Sequence, residues 1–295
     1  MTEQHKGAAA AFLSYVWWGA MPPYWKLLSG VSSFEVLVHR VVWSAVFMIV
    51  LLIAMRRVRS TIDFVRAQPR VLLWLMCSGL LITFNWWLYI WAVNAGHVLD
   101  TSLGYYMNPL LAMLFGRIFF GERMHGAQKA AIALAVAGVA VQVAALRVFP
   151  VVALSLALSF GLYGVFKKKT PAEPAVSLTI ETLIITPAAL AWLAFLEHTG
   201  VSSYPYDATM NLLLAGAGFM TSGPLLLFAY GTRRVSLTTI GFLQYVSPTM
   251  GFLFGTFVYH EPMNVWRLAA FALIWCAVTL YTADAVVRAR REKRG

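Results

Sequence analysis

Residues 106–124, YMNPLLAMLFGRIFFGERM, lie on residues 245–263, YVSPTMGFLFGTFVYHEPM, without a gap. Tyr106, Pro109, Leu114, Phe115, Gly116, Glu122 and Met124 meet Tyr245, Pro248, Leu253, Phe254, Gly255, Glu261 and Met263. LSYVWWG at 13–19 likewise echoes LSFGLYG at 158–164, and SSFEVL at 32–37 faintly echoes SLTIETL at 177–183. Each copy carries five apolar segments. An odd number of membrane crossings per copy turns the second upside down relative to the first, an arrangement typical of carriers that move solutes. The sequence therefore predicts an all-α membrane protein of ten transmembrane helices. It divides into two inverted five-helix repeats, residues 1–146 and residues 147–295, the second ending in a basic tail.

Composition excludes a soluble domain. Hydrophobic residues make up 60% of the chain and charged residues 12%, about half the usual charged share. Runs of the ~20 residues that cross a bilayer fall at about 8–29, 34–55, 71–93, 98–120, 127–146, 150–167, 176–196, 210–230, 236–259 and 264–287. Backbone groups in hydrocarbon must be paired within the segment, which favours helices, and the alternating strands of a barrel are absent. The N-terminal segment runs through Trp17, Trp18 and Pro22-Pro23 into further spans and reads as retained. Cys77 and Cys276 read as small buried hydrophobes.

Lys and Arg set the orientation. With the N-terminus in the cytoplasm, nineteen fall on that side; only Arg147 and Arg267 fall opposite, and Lys26 and Arg40 lie within spans. This asymmetry places both termini in the cytoplasm. The basic tail suits anionic lipid rather than nucleic acid.

Candidate site residues gather where prolines interrupt helices. Pro22, Pro109 and Pro248 each remove a backbone donor, and the last two are repeat-related. Around them, polar and aromatic residues recur at helical spacing: Tyr15 and Trp18; Asn85 and Tyr89; Tyr105 and Asn108, with Ser102 continuing the stripe; Phe160, Tyr163 and Lys167; Gln244 and Ser247. Such groups are costly in hydrocarbon unless they face the interior. Interhelical hydrogen bonding alone accounts for any one of them; their convergence suggests a solute site. Trp25, Trp74, Trp91, Trp192 and Trp266 read as interfacial anchors. Trp17, Trp18, Trp43, Trp86 and Trp87 lie deeper, with cation–π capacity for an organic cation.

Arg40 lies within the second span and needs a partner or a wet cavity. Two readings stand. Lys26, Glu35, His39 and Arg40 form an interfacial network that holds a gate shut, or His39 or Glu181 carries a coupling proton. The repeat equates Glu181 with Glu35. Glu122 and Glu261, just before turns, suit helix connection.

Several blocks resemble one family. YVWWGAMPPYWK at 15–26, EVLVHRVVWS at 35–44, NWWLYIWAVNAGHVLDTSLGYYMNPL at 85–110, GERM at 121–124 and FLQYVSP at 242–248 are similar to the EamA family of the drug/metabolite transporter superfamily, and within it to the RarD group. The resemblance runs end to end. It implies an inner-membrane carrier working by alternating access on small organic molecules, with membrane lipid as its surroundings. No cofactor, metal or nucleic acid is implied, and GxxxxGK[ST] is absent. A membrane-embedded enzyme or a non-transporting subunit is the alternative; the first lacks HxxxH, HExxH and acidic pairs. Gly138 and Gly161 suit either internal packing or a homodimer.

Overall fold

A computed structural model describes residues 2–95, 98–146, 150–200, 206–258 and 265–292, and these are helical apart from short connections. Arg147, Glu261, Lys293 and Arg294 lie outside them, as do the side chains of Ser102 and Arg267. The first half of the chain contributes α1 (Glu3–Gly19), the short α2 (Pro22–Leu27), α3 (Ser33–Ala54), α4 (Val58–Ala67), α5 (Pro69–Asn94), α6 (Val98–Phe120) and α7 (Gly126–Leu146). The second contributes α8 (Val151–Lys169), α9 (Pro174–His198), α10 (Ala208–Thr232), α11 (Leu237–Gln244), α12 (Val246–Leu253) with a π-helical turn at Phe254–Val258, and α13 (Val265–Glu292). Seven of these helices are long and apolar enough to cross a membrane. The chain is a multi-pass membrane protein.

The ends of the helices follow from local chemistry. Ser32 caps α3 by accepting from Glu35 N at 3.2 Å, a Ser-x-x-Glu start, and Asp207 caps α10 by accepting from Met210 N at 2.7 Å. The repeat-matched prolines behave differently. α6 continues through Pro109, whereas its counterpart breaks at Tyr245, between α11 and α12. Pro248 cannot donate to Gln244 O and its ring crowds that carbonyl, so the chain parts one residue beyond it. Pro22 opens α2 at a first-turn position, where its missing N–H costs nothing.

Helices of the first half of the chain pack chiefly on those of the second half. α6 lies against α8 and α11, α1 against α10 and α12, and α3 against α9 and α10. The core therefore sits between the two halves of the chain, around Tyr15, Phe115, Tyr163, Phe228, Leu237 and Ile240. Glycine makes the closest crossing possible. A Cβ on Gly218 would lie 2.3 Å from Trp43 C and 2.7 Å from Ser44 N, so only glycine lets α10 touch the α3 backbone. Gly138 meets Ala270 O and Ile274, and Gly161 meets Phe115, so both serve packing within the chain.

Candidate functional site

Four clusters divide the polar and aromatic residues. The first lies about a third of the way along the bundle from the end opposite the N-terminus. Arg40, eighth residue of α3, turns its guanidinium between Trp25 of α2, 4.6 Å from its centre, and Trp86 of α5, 5.1 Å from its ring centre. Its Nε donates to Thr221 Oγ1 of α10 at 3.0 Å. Tyr89 of α5 and Tyr105 of α6 meet edge-on, 5.9 Å between ring centres, within electrostatic reach of the same charge. Two tryptophan faces stabilise the cation, each by about 0.5–2 kcal/mol. No carboxylate among the described residues pairs with Arg40.

The second cluster is a plug of rings. Tyr15, Trp18, Phe160, Tyr163 and Phe228 form one connected set of ring contacts, with Tyr163 and Phe228 stacked at 5.8 Å and Tyr15 tilted against Trp18 at 5.5 Å. Tyr15 and Tyr163 are completely buried, and neither hydroxyl has a hydrogen-bond partner among the described residues.

The third is an ion pair in the interior. Lys167 Nζ reaches Glu181 Oε2 at 2.6 Å and Ser177 Oγ at 2.8 Å, with both charged side chains only 1% exposed. The positive-inside count puts Lys167 on the cytoplasmic side; in the structure it lies in the last turn of α8, one turn beyond Tyr163, with its side chain buried. That face (Phe160, Tyr163, Lys167) is visible in the sequence, but its pairing with Glu181 depends on how α8 meets α9.

The fourth closes the end of the bundle that holds the N-terminus. Glu122, in the turn after α6, accepts from Leu237 N at 2.7 Å, Thr238 N at 2.9 Å and Thr238 Oγ1 at 2.7 Å. Ser236 takes Thr239 N at 3.0 Å, so the first three backbone donors of α11 are all satisfied. A carboxylate also suits the positive end of a helix dipole. Glu122 thus makes the helix connection its position implies, and that connection joins the two halves of the chain. Arg57–Glu173 at 2.6 Å and Glu3–Arg234 at 3.0 Å cross the same boundary. The surface group is tightly poised: Lys6, then Arg234, holds the Glu3 carboxyl below its ordinary value, and Glu3 raises Lys6 in return.

The other predicted residues are spread between these clusters. Asn85 donates to Leu156 O at 2.8 Å and Ser159 Oγ at 2.9 Å, tying α5 to α8. Ser247 donates to Tyr15 O at 3.1 Å. Asn108 and Gln244 are buried, and Asn108 Oδ1 has no hydrogen-bond partner among the described residues. Glu35 is buried in the first turn of α3 and His39 is half-buried, while Lys26 is exposed on α2. Trp74, Trp91, Trp192 and Trp266 are exposed as anchors should be; Trp25 is not, because Arg40 holds it. Trp25, Trp86 and Thr221 are the members of the Arg40 cluster that periodicity missed. Cys77 and Cys276 are free thiols, and Cys276 is exposed rather than buried.

The sequence profile of the EamA-like transporter family matches residues 5–144 and again residues 150–283. An uncharacterized transporter of Bacillus subtilis, YojE, is 41% identical, covering 99% of this chain and 98% of its own. Protein RarD of Escherichia coli is 38% identical over 99% of both chains, and the chloramphenicol-sensitive protein RarD of Pseudomonas aeruginosa is 30% identical over 98% and 97%. A crystal structure at 19% identity shares the fold, with a TM-score of 0.69 over 95% of this chain and 98% of that one. The chain belongs to the EamA-like transporter family.

Proposed function

We propose that this protein is a secondary transporter of the inner membrane that exports or exchanges a small organic solute by alternating access. In this reading α1–α2, α3, α5 to α10, α11–α12 and α13 make ten crossings, in two inverted repeats, with both termini cytoplasmic. The single observation that carries it is the pairing of one latched end with one polar cluster at the repeat boundary. Glu122, Arg57 and Glu3 bridge the repeats at one end, while Arg40, Tyr89 and Tyr105 gather from three helices toward the other. Support for the orientation comes from the Lys and Arg asymmetry, and for the repeats from the two successive stretches of family match.

Solute would sit against the Arg40 cluster, with Asn108, Gln244 and Ser247 deeper. Tyr15, Trp18 and Tyr163 would form the floor that parts when the latch opens. Glu35, His39, Lys26 and the Glu181–Lys167 pair are then gating or coupling groups. The test is solute uptake into proteoliposomes preloaded with a metabolite panel. Saturable counterflow supports the reading. Equal leak with and without protein, across the panel, refutes it.

A further inference from the structure

We infer that the transported solute is an organic anion, a carboxylate on a compact aromatic body, and that Arg40 is the residue that binds it. This rests on the reading of the protein as a carrier.

A cation inside a membrane bundle is costly and requires compensation. For Lys167 the compensation is Glu181. For Arg40 the described residues supply one Nε hydrogen bond to a neutral hydroxyl and two ring faces. A guanidinium has five N–H donors in a fixed fork, and the two terminal nitrogens present the edge that matches a carboxylate. Thr221 occupies only the Nε side, so that edge carries no protein carboxylate among the described residues. Trp25 and Trp86 hold the plane of the fork and so set the direction from which an anion can approach. The Tyr89 and Tyr105 rings, edge-on to each other, stand within electrostatic reach of the same charge.

The same geometry argues against an organic cation, for which aromatic faces alone would speak. The tryptophan faces here already hold a cation, and a second one would meet Arg40 head on. The two tyrosine rings supply an apolar wall suited to a flat body next to the carboxylate.

The experiment compares matched ligands on purified full-length protein in detergent: benzoate, phenylacetate and indole-3-acetate, their amides, and phenethylamine. Binding is read by thermal stabilisation and calorimetry at up to roughly 10 mM, which would fill even a ~1 mM site. The expected result is that at least one carboxylate binds at least tenfold tighter than its amide, that the amine does not bind, and that Arg40→Lys weakens the carboxylate at least tenfold. The ligand comparison needs no variant, so a misfolded Arg40 variant leaves it intact. Equal affinity for acid and amide, or no stabilisation by any carboxylate, overturns the assignment. Flux in proteoliposomes separates the two readings. Charge-selective binding without counterflow removes the carrier and keeps the site. Saturable flux of neutral or cationic solutes that ignores Arg40→Lys keeps the carrier and removes the site.

Discussion

Replacing Lys167 by Met should cost far more than replacing Lys167 and Glu181 together. At 2.6 Å and an effective dielectric constant of about 20, the two charges attract by roughly 6 kcal/mol. Removing both ions from water costs several kcal/mol each, so the intact pair is close to neutral in net stability. Either single change leaves one buried charge with Ser177 as its remaining named partner, and costs about 3–5 kcal/mol. With Lys167→Met and Glu181→Met combined, apolar groups of similar volume replace the pair and stability returns to within about 1 kcal/mol of the parent. Unfolding titrations in mild detergent on the four proteins of the cycle give the coupling energy directly. Single costs below about 1 kcal/mol that simply add in the double variant would mean that water reaches the pair, and the argument from burial would fail.

Glu122→Gln keeps the shape of the latch but loses its charge-assisted bonds, each worth about 1.5–3 kcal/mol. Thiol labelling of Ile240→Cys, a position 1% exposed, should then rise about tenfold, the equivalent of ~1.4 kcal/mol; unchanged labelling would place the closure elsewhere. Gly218→Ala forces α3 and α10 apart and should cost about 1–3 kcal/mol, whereas Gly251→Ala, which meets nothing within 4 Å, should leave thermal stability equal or higher. Lowering the pH should free the start of α1. Glu3 titrates below its ordinary 4.5, so its tether to Arg234 is complete above that value and is lost as pH falls through the depressed one. Proteolysis near residues 3–8 should accelerate only in that acid range.

The fold was legible because membrane helices announce themselves one at a time. Each apolar run marks a helix, whatever that helix packs against. The helix faces were legible too, since Asn85 with Tyr89 and Phe160 with Tyr163 and Lys167 follow from spacing alone. Pairing across helices was not. Nothing local distinguishes Trp25 on Arg40 from Trp25 at the headgroups, or Lys167 in solvent from Lys167 on Glu181. Both depend on which faces meet when α2, α3 and α5, or α8 and α9, come together. Arg40 illustrates the limit: the sequence shows a charge within an apolar run, but not the tryptophans and threonine that other helices bring to it.

The grip of one carboxylate on three donors has a mechanical consequence. Donors fixed on the first turn of a helix cannot be released one by one, because a shift of about an ångström spoils all three together. The end of α6 and the start of α11 therefore travel as one body for as long as the grip holds. Any bending during a transport cycle must be taken up farther along, and the chain offers a joint there: the Tyr245 break, followed by the π-helical turn at Phe254–Val258. The rest of the lever beyond that joint can swing while its root stays still.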